Sequence, residues 1–206
     1  MANNNIPRGL IPYRDAYDGY RTGGMGLYFL PATDANDIFV GDPMIPTGDS
    51  DRFGIPVVAR ATAGAGNPLL GPMVAVAPGG PNTQVLAVTR DIPVYRPGGQ
   101  AQYILIDHDP DSLFMIQDDS GGVLGPTPIP IATVGMKNAN LLAGAGSTFT
   151  GYSGWQLNSA TVAAASPTAQ LRIMRLLMQE DNEGGLAHAK WLVKINLHVL
   201  LEPNGI

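Results

Sequence analysis

Short apolar runs that alternate with glycine and proline turns fill the chain from residue 27 onward. The residues Ala-Pro-Gly-Gly-Pro at 77–81 and Arg-Pro-Gly-Gly at 96–99 are examples of these turns. Regular spacing of short runs between such turns is typical of β-sandwiches and barrels. The pattern predicts strands at 27–30, 38–40, 55–60, 73–77, 84–89, 92–96, 103–106 and 112–117.

The clearest periodicity lies near the C-terminal end of the chain. Apolar residues alternate there with mostly polar ones, at Trp191, Val193, Ile195, Leu197, Val199 and Leu201. A period of two with one apolar face predicts a half-buried strand, with the first four of these side chains buried together. The apolar stretch 171–178 fits a strand or a short helix. The turn-forming residues at 181–185 favour a hairpin between this stretch and the last strand.

The first 26 residues have a different character. They are rich in Asn, Pro and Gly and contain several Tyr and Arg residues, the types enriched at contact surfaces. We predict an extended N-terminal arm over residues 1–26, mobile in the free protein, and a single β domain over residues 27–206. A frayed terminus is the alternative to an arm that docks on another subunit. The candidate contact residues of the arm are Arg8, Tyr13, Arg14, Tyr17, Tyr20 and Arg21.

The composition points to an all-β protein. Of the 206 residues, 26 are Gly and 18 are Pro, and this proportion of turn formers argues against an all-helical fold. We predict an all-β fold, with a jelly-roll-like β-sandwich as first choice and a small β-barrel as second. Only 14% of the residues are charged, against about 25% in typical soluble domains. A lightly charged chain often hides surface against partners.

The charge pattern bears on the possible partners. The formal net charge is −5 and the chain has no basic run, so it lacks the usual electrostatic footprint for nucleic acid or an anionic membrane. The absence of cysteine excludes disulfides, thiolate metal sites and cysteine nucleophiles. The first residues do not resemble a signal peptide and no apolar window approaches 18 residues. We therefore expect a protein made and kept in a cytosol, or assembled there, without a nucleic-acid or membrane partner.

Motifs of enzyme chemistry are missing from the sequence. The glycine pairs at 64–66 and 144–146 lack the third glycine of a dinucleotide-binding loop, and the Gly-Tyr-Ser-Gly at 151–154 has the wrong spacing for a nucleophile elbow. The histidines His108, His188 and His198 do not form an i, i+4 zinc pair. We predict that the protein is not an enzyme and uses no cofactor or transition metal.

An acidic cluster is the one group of side chains that could bind a cation. Its members are Asp107, Asp109, Asp111, Asp118 and Asp119. Carboxylates on turns can hold calcium, although the EF-hand pattern is not met. The favoured interpretation is that Asp109-Pro110-Asp111 caps a turn between two strands.

Several blocks in the chain form a recognisable set. They are Asp107-His108-Asp109-Pro110-Asp111 with Phe114, Gln117-Asp118-Asp119-Ser120, Leu171-Arg172-Ile173, Asp181-Asn182-Glu183 with Gly185, residues 189–198, and Phe39-Val40-Gly41-Asp42. This set resembles a family of tailed-bacteriophage virion proteins that are encoded near the major capsid protein and described as decoration, cement or head structural proteins. The resemblance covers about residues 28–200. It implies an all-β, capsid-bound protein without enzymatic activity.

The residues and the resemblance together give a functional expectation. We expect a virion structural protein that binds the outside of a phage capsid and cements neighbouring major capsid protein subunits. Its partners would be the major capsid protein and copies of itself, as a dimer or trimer, on a capsid assembled in the host cytoplasm. The alternatives are a head-fibre or tail-associated structural protein and a carbohydrate-binding β-sandwich module. A dense aromatic groove near residues 107–119 would favour the carbohydrate module.

Overall fold

The computed structural model describes residues 3–15, 24–77, 94–121, 126–163 and 166–201. These residues form eleven strands and two single-turn 3-10 helices, Ile131–Thr133 and Val199–Leu201. None of the helices in the described ranges is long and apolar enough to cross a membrane. The strands are β1 (Ile11–Asp15), β2 (Met25–Leu30), β3 (Pro43–Ser50), β4 (Pro56–Arg60), β5 (Gly71–Ala77), β6 (Gln102–Asp107), β7 (Ser112–Gln117), β8 (Asn138–Leu142), β9 (Gln156–Ala163), β10 (Leu171–Leu176) and β11 (Lys190–Ile195).

Six of the strands form an antiparallel sheet in the order β1-β7-β11-β10-β8-β9. The inner strand β11 presents Trp191, Val193 and Ile195 to the core of this sheet, where each is at most 2% exposed. Phe114 and Ile116 of the neighbouring β7 lie opposite Val193 and Trp191 and join the same core. The alternation of the C-terminal sequence therefore produces the face on which this half of the molecule is built.

The other five strands close into a barrel in the order β2-β4-β3-β5-β6. Strands β2 and β6 pair antiparallel along their full length, and β2 pairs parallel with β4. The barrel has its own apolar core, which includes Leu30, Met44, Met73, Ile104 and Ile106. The all-β prediction is confirmed, and the two sheets pack against each other.

Two side chains connect the two halves. Ile45 of β3 packs against both hydrophobic cores. Gln170, which is fully buried just before β10, accepts hydrogen bonds from the backbone N–H groups of Gly64 and Leu141, at 2.9 and 3.2 Å. Its amide nitrogen donates to the carbonyl oxygens of Thr62 and Asn67, at 2.8 and 3.0 Å. One amide thereby joins the loop between β4 and β5 to the six-stranded sheet.

The C-terminal strand is shorter than its sequence pattern predicts. Strand β11 ends at Ile195, and Leu197 is only partly buried, so the expected burial of four side chains on one face holds for the first three. Beyond Ile195 the backbone pairs with Leu69 instead: Leu69 donates to the carbonyl of Leu197, and Val199 donates to that of Leu69. Val199 then enters the barrel core. The predicted hairpin is confirmed, because β10 pairs with β11.

The N-terminal residues differ from the expected free arm wherever the structure describes them. Residues 3–15, called here the N-terminal segment, lie on the six-stranded sheet, and β1 is an edge strand paired with β7. Leu10 is 0% exposed and belongs to the sheet core, which gives the segment an apolar anchor. Residues 16–23 lie outside the described residues, so the boundary at residue 26 stays a prediction.

Candidate interaction surfaces

Side-chain amides fasten the N-terminal segment at its beginning. The Asn3 amide nitrogen donates to the carbonyls of Glu183 and Ala187 at 3.0 and 2.9 Å, and its oxygen accepts from the N–H of Glu183 at 2.8 Å. Gln117 at the end of β7 accepts from the N–H of Ile6 at 2.9 Å and donates to the carbonyl of Asn4 at 2.7 Å. Side-chain hydrogen bonds thus hold the residues before β1, whereas backbone hydrogen bonds to β7 hold β1 itself.

The structure places only part of the predicted contact set. Arg8 is exposed, with its guanidinium carbon 4.9 Å from the centre of the Tyr152 ring. Tyr13 is 41% exposed in β1. Arg14 also lies in β1, but its side chain is not among those described. The other three predicted contact residues, Tyr17, Tyr20 and Arg21, lie outside the described ranges, so their role stays a prediction.

A turn that the sequence reasoning missed presents the most exposed aromatic side chain among the described residues. Phe149 is 94% exposed. The turn that carries it is closed by two backbone hydrogen bonds, from Ser147 N–H to the carbonyl of Tyr152 at 2.9 Å and from Gly151 N–H to that of Ser147 at 2.8 Å. The signal in the sequence was a lone Phe among Gly, Ser and Thr residues.

Partly exposed side chains extend this apolar surface. Val94 packs so closely on Gly151 that a Cβ there would lie 2.7 Å from its side chain, and Gly151 also has a positive φ of 74°. Tyr152 follows at the end of the same turn and stacks under Arg8. We call the set Arg8, Val94, Phe149 and Tyr152 the aromatic surface. Aromatic rings and arginine are the side chains that most often dominate the energy of protein interfaces.

The acidic cluster is divided by the fold. Asp107 ends β6, and Asp109 and Asp111 lie in the turn before β7, whereas Asp118 and Asp119 follow β7. The length of β7 places the two groups about 20 Å apart. Asp109 accepts from the N–H of Asp111 at 2.9 Å, and Asp107 accepts from the hydroxyl of Ser112 at 3.1 Å, so the turn-capping interpretation is confirmed. Lys194 pairs with Asp111 at 2.7 Å. Within the described residues no group of three or more metal-ligating side chains comes together.

Asp118 has a structural position in the core. It is fully buried and accepts hydrogen bonds from the indole N–H of Trp191 at 2.8 Å and from the hydroxyl of Ser120 at 2.6 Å. Burial raises the pKa of Asp118, and the two donors oppose that shift. Its neighbour Asp119 accepts from the N–H and hydroxyl of Ser159, at 2.8 and 2.6 Å, and so covers part of the outer edge of β9.

The three histidines lie at separate places. His198 is 1% exposed where the C-terminal residues meet the barrel, and its Nδ1 accepts from the N–H of Leu200 at 3.1 Å. Burial lowers the pKa of His198 to about 4, with smaller effects from His108, Asp109 and Lys194. The Nδ1 of His108 lies 3.0 Å from the hydroxyl of Tyr28. His188 has a positive φ of 59° in the loop before β11.

A cleft of about 260 Å³ lies between the first part of the N-terminal segment and strands β7 and β11. Its lining includes Arg8, Met115, Gln117 and Lys190, and the ammonium of Lys190 is paired with Asp181 at 2.6 Å. Both tryptophans of the chain are in the core, Trp155 at 2% and Trp191 at 0% exposure. The indole rings on which sugars commonly stack are therefore not at the surface.

Comparisons with known proteins found no matching family model, curated protein or solved structure. The geometry available for interpretation is therefore that of the chain itself. It consists of a hydrogen-bonded turn with one exposed phenylalanine beside an arginine–tyrosine contact, and of a terminal segment docked along a sheet edge.

Proposed function

We propose that this protein is a virion structural protein that binds the outside of a phage capsid and cements neighbouring major capsid protein subunits. In this role it acts by contact and catalyses no reaction. Its partners are the major capsid protein and further copies of itself, and it is assembled onto the capsid in the host cytoplasm. The resemblance of residues 107–120 and 171–198 to phage decoration proteins supplies the biological setting.

The aromatic surface is the observation that carries this proposal. A phenylalanine ring that is 94% exposed gains about 1.5–3 kcal/mol when it is transferred from water into a partner's pocket. The hydrogen-bonded turn fixes the backbone of Phe149 before binding, so little backbone entropy is lost when the ring docks. Arg8 and Tyr152 beside it supply the residue types typical of interface hot spots.

The alternative of a carbohydrate-binding module receives less support. The aromatic side chain beside the acidic turn is Tyr28, which contacts His108 edge-on with ring centres 5.9 Å apart. Tyr28 is only partly exposed, and burial raises its pKa. This pair does not present the flat, open ring on which a sugar stacks.

The test uses capsids of the phage that encodes this chain, assembled without the protein and then incubated with it. We expect the protein to bind these capsids and to raise the temperature at which they release DNA. Phe149→Ser should weaken binding at least tenfold, because it removes the exposed ring without touching the core. Met178→Ser is the matched control, since Met178 is 82% exposed on the loop after β10. Failure of the unaltered protein to bind, or equal binding by both variants, would contradict the proposal.

A further inference from the structure

The N-terminal segment is attached to the rest of the molecule in a way that allows it to dock elsewhere. Asp15 lies opposite Ser112 at one end of the β6–β7 turn, and the carbonyl of Gly24 accepts from His108 N–H, 3.2 Å away, at the other end. The ends of this turn are at most about 15 Å apart, given the reach of four residues. With about 5 Å added for the backbone pairing at each end, Asp15 and Gly24 lie at most about 25 Å apart.

The connection between these points is longer than the gap. Residues 16–23 join Asp15 to Gly24 through nine Cα–Cα steps, which span up to about 30 Å when extended. This length leaves slack after the turn has been crossed. Because the connection is longer than the distance between its ends, the segment can pair with its own β7 or with the β7 of an adjacent molecule.

The N-terminal segment makes its contacts with β7, with residues 183–187 and with Gly41. Strand β1 pairs with β7, Asn3 binds the backbone of residues 183–187, and the Leu10 N–H donates to the carbonyl of Gly41 at 2.9 Å. All of these partners lie outside residues 16–23. A second copy of the chain offers the same partners, so exchange preserves every contact of the segment.

We propose that the N-terminal segment exchanges between copies of this chain, each copy docking residues 3–15 along β7 of a neighbour. Exchange of an identical element is a low-cost route to oligomers because no new interface has to be built. The balance is set by concentration: a tether of a few residues holds an attached segment at an effective concentration of the order of millimolar. Exchange therefore dominates where copies are crowded to similar concentrations, and internal docking dominates in dilute solution. The proposal concerns the isolated protein and goes beyond its function on a capsid.

Engineered cysteines test this directly, since the natural chain has none. Ile11 and Met115 are register partners, and antiparallel partners have Cα separations of about 4.5–5.5 Å, within the range of a disulfide. Ile11→Cys and Met115→Cys copies, carrying tags of different length, are unfolded together, refolded at about 1 mM or about 5 µM, and oxidised. We expect a mixed disulfide dimer at the high concentration and at least tenfold less at the low one.

Two controls make either outcome informative. Copies with Arg172→Cys and Lys194→Cys, register partners on β10 and β11, report random collisions between copies. The pair Arg14→Cys and Leu113→Cys repeats the test at a second point of the β1–β7 ladder, in case the first pair impairs folding. The proposal is overturned if, at 1 mM, neither β1–β7 pair forms more mixed dimer than the β10–β11 control.

Discussion

Trp191 and Asp118 make a polar contact inside the apolar core of the six-stranded sheet. At residue scale this pair combines the largest buried ring with the carboxylate that satisfies its only hydrogen-bond donor. The two residues are 73 positions apart, and sequence spacing alone does not show that they meet. The period-two pattern was sufficient to predict the burial of Trp191, but not the identity of its partner.

Replacing the ring should therefore be costly. Trp191→Ala is expected to lower the free energy of unfolding by roughly 3–5 kcal/mol, because it opens a cavity and leaves Asp118 without its indole donor. Urea denaturation of both proteins measures the difference. Met178→Ala, at an exposed position, should change stability by less than about 0.5 kcal/mol. Similar small changes for both variants would show that Trp191 is not packed as described.

His198 should make stability depend on pH. Its pKa is about 4 in the folded protein, against about 6.5 when unfolded, so the unfolded chain binds more protons between these values. The free energy of unfolding should consequently fall as the pH drops from about 6.5 to about 4, by up to roughly 3 kcal/mol. The contribution is complete above pH 6.5.

A variant isolates this histidine from the buried carboxyls. His198→Asn keeps an acceptor for the Leu200 N–H but cannot be protonated in this range. Asp42 and Asp118, whose pKa values are raised by burial, affect variant and wild type alike. Stability curves measured by urea unfolding from pH 4 to 7 should diverge as the pH rises. Parallel curves would contradict the assignment.

At the scale of elements, strands with dense apolar residues were predictable and sparsely apolar ones were not. The runs at 103–106 and 112–117 became β6 and β7, and the hairpin of β10 and β11 was anticipated. Strands β8 and β9 were missed because Asn, Ser and Thr occupy many of their positions. The run at 84–89 and the first part of the run at 92–96 lie outside the described residues. The apolar run at 38–40 and residues 94–96 form isolated bridges and not the predicted strands. The polar segments of β8 and β9 become strands because they pair and pack with residues far away in the chain, and a local sequence pattern does not show such partners.

Gln170 contributes four hydrogen bonds to the link between barrel and sheet. Gln170→Leu should destabilise the protein by roughly 1–3 kcal/mol, since the buried N–H of Leu141 loses its partner. The N–H of Gly64 and the carbonyls of Thr62 and Asn67 are only partly buried, so water can replace the amide there. Gln100→Leu, at an exposed loop position, is the matched control. Thermal unfolding of the two variants measures the difference. A melting temperature for Gln170→Leu equal to that of the control would show that the amide is dispensable.

At the scale of the whole molecule, the terminal segment is both part of the fold and its most exchangeable element. Its Tyr and Arg content was the basis for predicting an arm over residues 1–26, while Leu10, a single apolar anchor, was insufficient to predict docking on the sheet. The aromatic surface escaped sequence reasoning for a related reason. The role of Phe149 depends on its exposure and on the contacts of its turn, where Val94 packs on Gly151 and Arg8 lies over Tyr152, and both partners come from distant parts of the chain.

Removing the segment should weaken the isolated protein. Deletion of residues 2–15 exposes the Leu10 site and the edge of β7, and burial of one leucine alone contributes about 1.5–3 kcal/mol. For a chain of this size we expect the melting temperature to drop by at least about 5 °C. Leu10→Ala should reproduce much of this loss, and Ile6→Ser, at a half-exposed position, should not. An unchanged melting temperature after deletion would mean that the segment is not docked in solution.

The cement role itself is tested most directly by a density map of the phage particle that carries this protein, at a resolution that shows side chains. We expect each copy on the outer capsid surface to touch at least two major capsid protein subunits, with Phe149 buried in one of these contacts. A copy that touches a single capsid subunit, or particles from which the protein is absent, would contradict the account.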